Sequence, residues 1–248
     1  MASLDGKVVI ITGAAQGMGR HHAEWCAGQG AAVALTDIQA EKGATVAAGL
    51  GDGAIFIRHD VTSGEDWGQV VSATLDAFGR VDGLVNNAAI DPTAVSIEDE
   101  TFERFERTHR INVYGTWWGI KAVIPAMRAG GGGSIVNIAS TAGLRGFPGY
   151  TSYGSSKWAV RGMTKSAARD LGQYGIRVNS VHPGGIAGTG MYPVPASEEE
   201  AAFRLARVPL GRVGQLDDVS AMVGFLLSDQ SSFVTGVEHV VDGGSVIA

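Results

Sequence analysis

The sequence predicts an α/β domain built on one doubly wound parallel β-sheet with helices on both faces, and three observations support this prediction. Apolar runs of strand length alternate with helical patterns along most of the 248 residues. The first run, Lys7-Val-Val-Ile-Ile-Thr12, is apolar without polar interruption, which is typical of a strand covered on both faces. A glycine turn follows it and leads into a helical pattern. Strands that alternate with helices favour a parallel sheet with right-handed crossovers.

The predicted elements follow one another without an intervening linker, which indicates a single Rossmann-like domain over residues 1–248. Helices are predicted at residues 17–29 and, as a longer helical stretch, from about residue 99 to residue 127. After the first strand, six more are predicted at residues 32–36, 54–58, 83–86, 134–138, 177–181 and 238–241. A chain of this length buries a sizeable core within one domain.

Composition excludes several classes of protein. The net charge is −6 and lysines and arginines are not clustered, so nucleic acid is not a predicted partner. The single cysteine, Cys26, excludes an internal disulfide framework, and the apolar runs are too short to cross a membrane. The N-terminal residues lack the features of a signal peptide, and the predicted compartment is the cytoplasm.

A glycine turn after the first strand predicts a nucleotide-phosphate site. In Thr12-Gly-Ala-Ala-Gln-Gly-Met-Gly19, the glycines allow a sharp turn and close approach of a phosphate to the backbone. The following helix directs its positive end towards that phosphate. The candidate contacts are Gly13, Gln16, Gly17, Met18 and Gly19. Three glycines alone also fit an ordinary strand-to-helix turn.

Asp37 ends the second predicted strand, where a dinucleotide-binding domain places the carboxylate that binds the adenosine ribose hydroxyls. This carboxylate would repel a 2′-phosphate, and its neighbours Gln16 and Ile38 are uncharged, so NAD is the predicted cofactor rather than NADP. Arg20 is the one cation predicted to be able to reach a phosphate. The alternative is that Asp37 caps the helix that begins near Gln39.

Residues after the third and fourth strands are predicted to bind the adenosine side of the cofactor. Asp60 and Val61 flank the adenine in this interpretation, and Asn87, Ala88 and Ala89 present amides and small surfaces. The alternative for Asp60 is a structural one, in which its carboxylate caps the turn at residues 62–63.

Tyr153, Lys157 and Ser140 carry the predicted chemistry. Tyr153 and Lys157 are four residues apart and share one face of a helix. A free tyrosine has a pKa near 10, which a neighbouring ammonium lowers, so Tyr153 could give or take a proton at neutral pH. Ser140 would hold the same substrate oxygen by a hydrogen bond. The alternative is a helix face on which Lys157 extends past an aromatic ring to solvent.

Other polar residues leave more than one interpretation. Asn112 lies among apolar residues of the long helical stretch, and either a water links it to Lys157 or its amide satisfies local backbone groups. His21 and His22 lack further ligands at metal spacing, so no metal site is predicted. A serine hydrolase that uses Ser140 and His182 is not favoured, because the Gly-x-Ser-x-Gly elbow is missing.

Together these motifs resemble the short-chain dehydrogenase/reductase family from about Leu4 to Gly244. The resemblance implies a catalytic set, further cofactor contacts and a homotetramer with one interface on the helices of Asn112 and Tyr153 and another on the last strand. The implied catalytic residues are Asn112, Ser140, Tyr153 and Lys157, and the further cofactor contacts are Tyr153, Lys157, Pro183, Gly184, Ile186 and Thr189. Segments such as Arg177-Val-Asn-Ser-Val-His-Pro-Gly184 look like those of bacterial 3α/20β-hydroxysteroid dehydrogenases.

Two positions depart from the family pattern. Ala89 replaces the glycine that commonly completes Asn-Asn-Ala-Gly, and Thr189 comes one residue later than the threonine that usually binds the nicotinamide amide. The resemblance also implies a lid over the substrate at about residues 185–208. The apolar residues of this lid are Met191, Tyr192, Pro193, Val194 and Pro195, and those of the opposite wall are Leu144, Phe147, Pro148 and Tyr150.

These features predict an NAD(H)-dependent oxidoreductase that interconverts a secondary alcohol and a ketone on a hydrophobic substrate such as a hydroxysteroid. Small or aromatic ketones and polyols remain alternative substrates, because the same residues serve them. A different class of function, a dinucleotide sensor without catalysis, is disfavoured by the presence of Ser140, Tyr153 and Lys157.

Overall fold

The computed structural model describes residues 4–90, 93–192, 195 and 197–247. They contain one seven-stranded sheet of order β3-β2-β1-β4-β5-β6-β7, in which every strand pairs in parallel with its neighbours. The strands are β1 (Val8–Thr12), β2 (Ala32–Asp37), β3 (Ala54–Arg58), β4 (Gly83–Asn86), β5 (Gly133–Ile138), β6 (Ile176–Pro183) and β7 (Glu238–Val241). The predicted fold class is confirmed, and each predicted strand is present.

Within the described ranges, eight α-helices connect and cover these strands. They are α1 (Gly17–Gly28), α2 (Ala40–Leu50), α3 (Gly64–Phe78), α4 (Phe102–His109), α5 (Gly115–Ala129), α6 (Thr151–Leu171), α7 (Glu198–Leu205) and α8 (Leu216–Leu227). In the described part of the chain, none of the helices combines the length and the apolar character needed to cross a bilayer.

The long helical stretch predicted from about residue 99 to residue 127 is not uniform. It begins at Phe102, because the Thr101 hydroxyl accepts a hydrogen bond from the Arg104 N–H and caps α4. A π-helical turn, Arg110–Tyr114, then separates α4 from α5. Such turns widen a helix locally and are frequent at functional sites. Asn112 lies in this turn, so the interruption alters the backbone at a predicted site residue.

The sheet has an apolar layer on each face, which explains the unbroken apolar runs in the sequence. Within β1, Val9 and Ile11 belong to a cluster with Val223 of α8, whereas Ile10 belongs to a second cluster with Val123 of α5. All three β1 side chains are almost completely buried. Strand order reverses between β1 and β4, so the loops after these strands diverge and leave a crevice at the carboxyl edge of the sheet.

Candidate active site

The glycine turn after β1 is shaped for close backbone approach. Gly13 and Gly17 have φ angles of 66° and 56°, which favour glycine. A Cβ atom at Gly19 would lie 2.2 Å from the Gly13 carbonyl oxygen. Helix α1 begins with neither a side-chain cap nor an acidic residue in its first turn. Its positive end is therefore open to a phosphate group.

Asn87 joins this turn to the loop after β4. Its side-chain amide donates to the carbonyl oxygen of Thr12 at 2.9 Å, and its backbone N–H donates to the Thr12 hydroxyl at 3.0 Å. The Ala88 N–H donates to the same hydroxyl at 3.0 Å. A Cβ atom at Gly13 would lie 2.9 Å from the Ala88 Cα atom, so the two loops leave no room for a side chain there.

The Asp37 carboxylate is buried at the end of β2 and serves the backbone on two sides. One oxygen accepts a hydrogen bond from the Ala15 N–H at 3.1 Å, and the other accepts from the Gln39 N–H at 2.9 Å. Asp37 also lines the cleft above the glycine turn. The Asp37 carboxylate therefore has the predicted alternative role at the start of the helix near Gln39. It also faces the cleft.

The arrangement of two basic residues, Arg20 and Lys42, differs from what the sequence predicts. Arg20 forms an ion pair with Glu24 at 2.7 Å and is not among the residues that line the cleft. Lys42 was not predicted, yet its ammonium lies 2.8 Å from the Gln39 side-chain oxygen and 3.4 Å from that of Gln16. The helical spacing of residues 39 and 42 could have identified its contact with Gln39, whereas its approach to Gln16 depends on the folded chain.

The Asp60 carboxylate caps the turn at residues 62–63, which was the alternative interpretation of this residue. One carboxylate oxygen accepts from the Thr62 N–H at 2.9 Å and from the Thr62 hydroxyl at 2.8 Å. Asp60 and Val61 nevertheless line the same cleft as Asp37, beside the buried His59. Burial lowers the pKa of His59 to about 4, so this side chain is neutral at physiological pH.

The cleft has a volume of about 540 Å³ and collects most of the residues predicted to bind the cofactor. These are Gly13, Gln16, Gly17, Met18, Gly19, Asp37, Asp60, Val61, Asn87, Ala88, Ala89, Tyr153, Lys157 and Thr189. The predicted contacts Pro183, Gly184 and Ile186 instead line an adjoining cavity. Lining residues that were not predicted as cofactor contacts include Ile38, Ile90, Arg107, Arg110 and Ile111. An open helix end, a carboxylate and small residues in one elongated cleft fit a dinucleotide.

Tyr153 and Lys157 lie one turn apart on α6 and line this cleft together. Lys157 is 3% exposed, and its ammonium donates a hydrogen bond to the Ile138 carbonyl oxygen at 2.9 Å. The same ammonium lies 5.5 Å from the centroid of the Tyr153 ring. Because the lysine is buried, the alternative of a side chain that extends past the ring to solvent does not apply.

Ser140 follows β5 and is fixed through its backbone by His182. The His182 Nδ1 lies 3.0 Å from the Ser140 carbonyl oxygen, and its Nε2 lies 2.9 Å from the Ser180 hydroxyl. Burial lowers the pKa of His182, which favours the neutral ring. With the Ser180 hydroxyl donating to Nε2, Nδ1 carries the proton and donates to Ser140. The His182 ring therefore holds the backbone of Ser140.

Asn112 is bound by protein groups on both sides of its amide. Its oxygen accepts from the Ile90 N–H at 2.9 Å, and its nitrogen donates to the Ile90 carbonyl at 3.2 Å and to the Ser156 hydroxyl at 3.1 Å. The alternative in which the amide satisfies backbone groups is therefore present, although the partner is 22 residues away. These contacts tie the π-helical turn to α6 and to the loop after β4.

The adjoining cavity has a volume of about 440 Å³ and contains Ser140. It shares Met18, Ala139, Tyr153, Thr189 and Met191 with the cofactor cleft, so Tyr153 lies where the two meet. Among the predicted apolar walls, the lining residues are Phe147, Tyr150, Met191 and Tyr192, whereas Leu144, Pro148 and Pro195 do not line it. Pro193 and Val194 lie outside the described residues.

The described part of the predicted lid contains a turn and a helix. The Thr189 hydroxyl donates to the Ile186 carbonyl at 3.0 Å and accepts from the Met191 N–H at 3.2 Å, so it stabilises its own turn. Helix α7 begins after Ser197, because the Ser197 hydroxyl accepts a hydrogen bond from the Glu200 N–H and caps the helix.

His21 and His22 have a structural explanation. Both rings have Nδ1 within hydrogen-bonding distance of the Ser220 hydroxyl, at 2.8 and 2.7 Å. Among the described residues, no group of three histidine, cysteine, aspartate or glutamate side chains is placed to hold a metal ion.

The chain is similar to a family model and to several named dehydrogenases. A model of the short-chain dehydrogenase/reductase family, described as Enoyl-(Acyl carrier protein) reductase, matches residues 13–245. Trans-4-hydroxycyclohexanecarboxylate dehydrogenase of Sinomonas cyclohexanicum is 43% identical over 96% of this chain and 92% of its own length. 3-alpha-(or 20-beta)-hydroxysteroid dehydrogenase of Mycobacterium tuberculosis is 43% identical over 98% and 90%. Cyclopentanol dehydrogenase of Comamonas testosteroni is 42% identical over 98% of each chain. The chain therefore belongs to the short-chain dehydrogenase/reductase family, as the sequence motifs predicted, and is an oxidoreductase of that family.

Proposed function

We propose that this enzyme interconverts a secondary alcohol on a ring with the corresponding ketone, with NAD as its cofactor. In the oxidative direction the alcohol loses a hydride to NAD⁺ and a proton to the protein, which gives the ketone, NADH and H⁺. The position of Tyr153 at the junction of the two cavities carries this proposal, because a phenol placed there borders both reactants.

The residues around this junction have complementary roles in the proposal. Tyr153 exchanges a proton with the substrate oxygen, and the nearby Lys157 ammonium favours the phenolate form of the ring. Ser140 donates a hydrogen bond to the same oxygen and stabilises the charge that develops on it. Asn112 acts as a positioning residue, since its amide ties α6 to the loop after β4. The bound nicotinamide would supply the hydride acceptor or donor.

The proposed cofactor is NAD rather than NADP. The Asp37 carboxylate faces the cleft and would accept hydrogen bonds from ribose hydroxyls while repelling a 2′-phosphate. Lys42 weakens this repulsion, but its ammonium is held by the side chains of Gln39 and Gln16.

The names of the relatives support a ring alcohol as the substrate. They describe dehydrogenases of a hydroxycyclohexanecarboxylate, a hydroxysteroid and cyclopentanol, in which the carbon skeleton is cyclic. The aromatic and apolar side chains of Phe147, Tyr150, Met191 and Tyr192 offer such a skeleton a hydrophobic wall.

We also propose a homotetramer. Large apolar side chains are exposed on the outer face of α4, α5 and α6, with Phe102 72%, Trp117 44% and Trp158 47% exposed. A second group, which includes Val237 and Val240, is exposed around β7. Exposed apolar patches of this kind mark association surfaces, and two separate patches suffice for a tetramer with closed symmetry.

A panel of ketones with NADH tests the proposed function. Purified enzyme should consume NADH with cyclohexanone, cyclopentanone and a 3-ketosteroid, and should reduce NAD⁺ with the matching alcohols. Tight NADH binding without turnover of any of these substrates would favour the dinucleotide sensor and refute the proposed reaction.

A further inference from the structure

The charged residues that line the substrate cavity are mostly basic, in a protein whose net charge is −6. Its charged lining residues are four arginines and one aspartate: Arg145, Arg204, Arg207, Arg212 and Asp242. The Asp242 carboxylate accepts hydrogen bonds from the Gly244 and Val246 N–H groups and from the Ser245 hydroxyl. Its charge is thus already used by its own turn, and the arginines dominate the cavity.

Two of the four arginines are neutralised by carboxylates. Arg212 binds Asp218 through two hydrogen bonds of 2.6 and 2.8 Å. Arg204 pairs with Glu200 and lies over the Tyr192 ring at 5.3 Å. These pairs fix the lid helix α7 and the start of α8, so they do not need a ligand to balance their charge.

Arg145 differs from these two. Its Nε atom is buried, and among the described residues its side chain forms no hydrogen bond and no ion pair. Its guanidinium carbon lies 4.9 Å from the centroid of the Phe147 ring, and this stacking leaves the outer edge of the guanidinium available. The two Nη atoms on that edge are not among the buried atoms, so an anion in the cavity can accept hydrogen bonds from them and balance the charge.

The position of Arg145 is fixed relative to the reacting residues. Its backbone N–H donates to the Thr141 carbonyl at 3.1 Å, in the tight turn that follows Ser140. This turn packs on α6, since a Cβ atom at Gly143 would lie 2.9 Å from the Lys157 carbonyl oxygen. Arg145 therefore lines the substrate cavity on the same rigid turn as Ser140, and it is not part of the cofactor cleft.

Arg207 has a lesser role in this arrangement. Its guanidinium carbon lies 4.3 Å from the Phe203 ring centroid, and its side chain is exposed. An exposed charge is screened by water and salt, so Arg207 attracts an anion to the cavity without holding it tightly.

We propose that the natural substrate is a ring alcohol or ketone that carries a carboxylate, and that Arg145 binds this carboxylate. The proposal rests on the proposed function for the reaction and adds the chemical class of the substrate. A guanidinium matches the planar geometry of a carboxylate and can bind both of its oxygens. With the carboxylate at Arg145, the ring is held against the apolar wall and its oxygen is directed towards Ser140 and Tyr153.

The test compares 4-oxocyclohexanecarboxylate with its methyl ester, which has the same ring without the charge. Wild-type enzyme with NADH should show a kcat/KM at least 10-fold higher for the acid. Arg145→Met should lower the kcat/KM ratio of acid to ester by about 10- to 100-fold, because it removes a charge-assisted hydrogen bond. Arg145→Lys keeps the charge without the planar fork and should restore part of the ratio.

Arg128→Met is the matched control, since this arginine stacks on Tyr174 outside both cavities and its loss should leave the ratio at the wild-type value. Calorimetry with cyclohexanecarboxylate and the NADH-bound enzyme gives a readout without turnover, and Arg145→Met should weaken this binding at least 10-fold. Equal turnover of acid and ester, or a ratio unchanged by Arg145→Met, would overturn the proposal. A wild-type enzyme that turns over no ring ketone would refute the proposed function instead, and the calorimetry would still decide whether Arg145 binds a carboxylate.

Discussion

Removing the negative charge at Asp37 should change the choice of cofactor. Two unit charges about 4 Å apart near a protein surface interact by about 4 kcal/mol, so a carboxylate beside a 2′-phosphate lowers affinity by about 10³-fold. Wild-type enzyme should therefore show a kcat/KM for NADH that exceeds that for NADPH by about 10²-fold or more. Asp37→Asn should lower this preference by at least 10-fold, and Asp37→Ser combined with Ile38→Arg should reverse it.

The same substitution has a structural cost that can be measured separately. The Asp37 carboxylate accepts from the Ala15 and Gln39 N–H groups, whereas an asparagine amide has one oxygen for the two donors. A buried donor left without a partner costs about 1–3 kcal/mol, so the melting temperature of Asp37→Asn should fall. Glu41→Gln is the matched control, because it removes an exposed carboxylate of the first turn of α2 that does not line the cleft.

Steady-state kinetics with both cofactors and one ketone provide the assay. A wild-type enzyme that uses NADPH as efficiently as NADH would contradict the proposed role of Asp37. Equal ratios of kcat/KM for NADH to kcat/KM for NADPH in Asp37→Asn and Glu41→Gln would also contradict it, because the carboxylate in the cleft would then have no special effect.

Three further predictions concern folding and assembly. Gly19→Ala places a Cβ atom 2.2 Å from the Gly13 carbonyl oxygen. Chemical denaturation should therefore show a free energy of unfolding lower by about 1–3 kcal/mol, and fluorescence titration should show weaker NADH binding. Burial, with a smaller contribution from His21, lowers the pKa of His22 from 6.5 to about 3. The unfolded chain therefore binds a proton that the native state does not, and stability should fall by about 1.4 kcal/mol per pH unit as pH decreases from 6.5 towards 3. In denaturation curves measured across pH, His22→Gln should reduce this slope by about 1.4 kcal/mol per pH unit, which corresponds to one bound proton. Trp117→Glu should convert the proposed tetramer to a smaller species in light scattering, whereas an unchanged mass would place the interface elsewhere.

The sequence predicted the sheet well because its signals are local. Buried parallel strands such as β1 read as unbroken apolar runs, and the glycine turn after it marks the strand-to-helix junction. The spacing of Tyr153 and Lys157 placed both on one helix face without knowledge of the tertiary structure.

The features that sequence analysis missed depend on contacts between distant segments. The π-helical turn at Asn112 coincides with hydrogen bonds to Ile90, which no local pattern reveals. Arg145 and Arg212 are far apart in the sequence, and only the folded chain brings them into one cavity. Lys42 needed the positions of Gln16 and Gln39 to be recognised as a neighbour of the cofactor cleft.

In the proposed reaction the Tyr153 phenol exchanges a proton with the substrate oxygen beside the nicotinamide. Tyr153→Phe removes the hydroxyl and keeps the ring, so its kcat with NADH and a ring ketone measures the contribution of this proton transfer. We expect a fall of about 10²-fold or more, with the dissociation constant for NADH within a few-fold of the wild-type value. A variant that turns over at nearly the wild-type rate would contradict it.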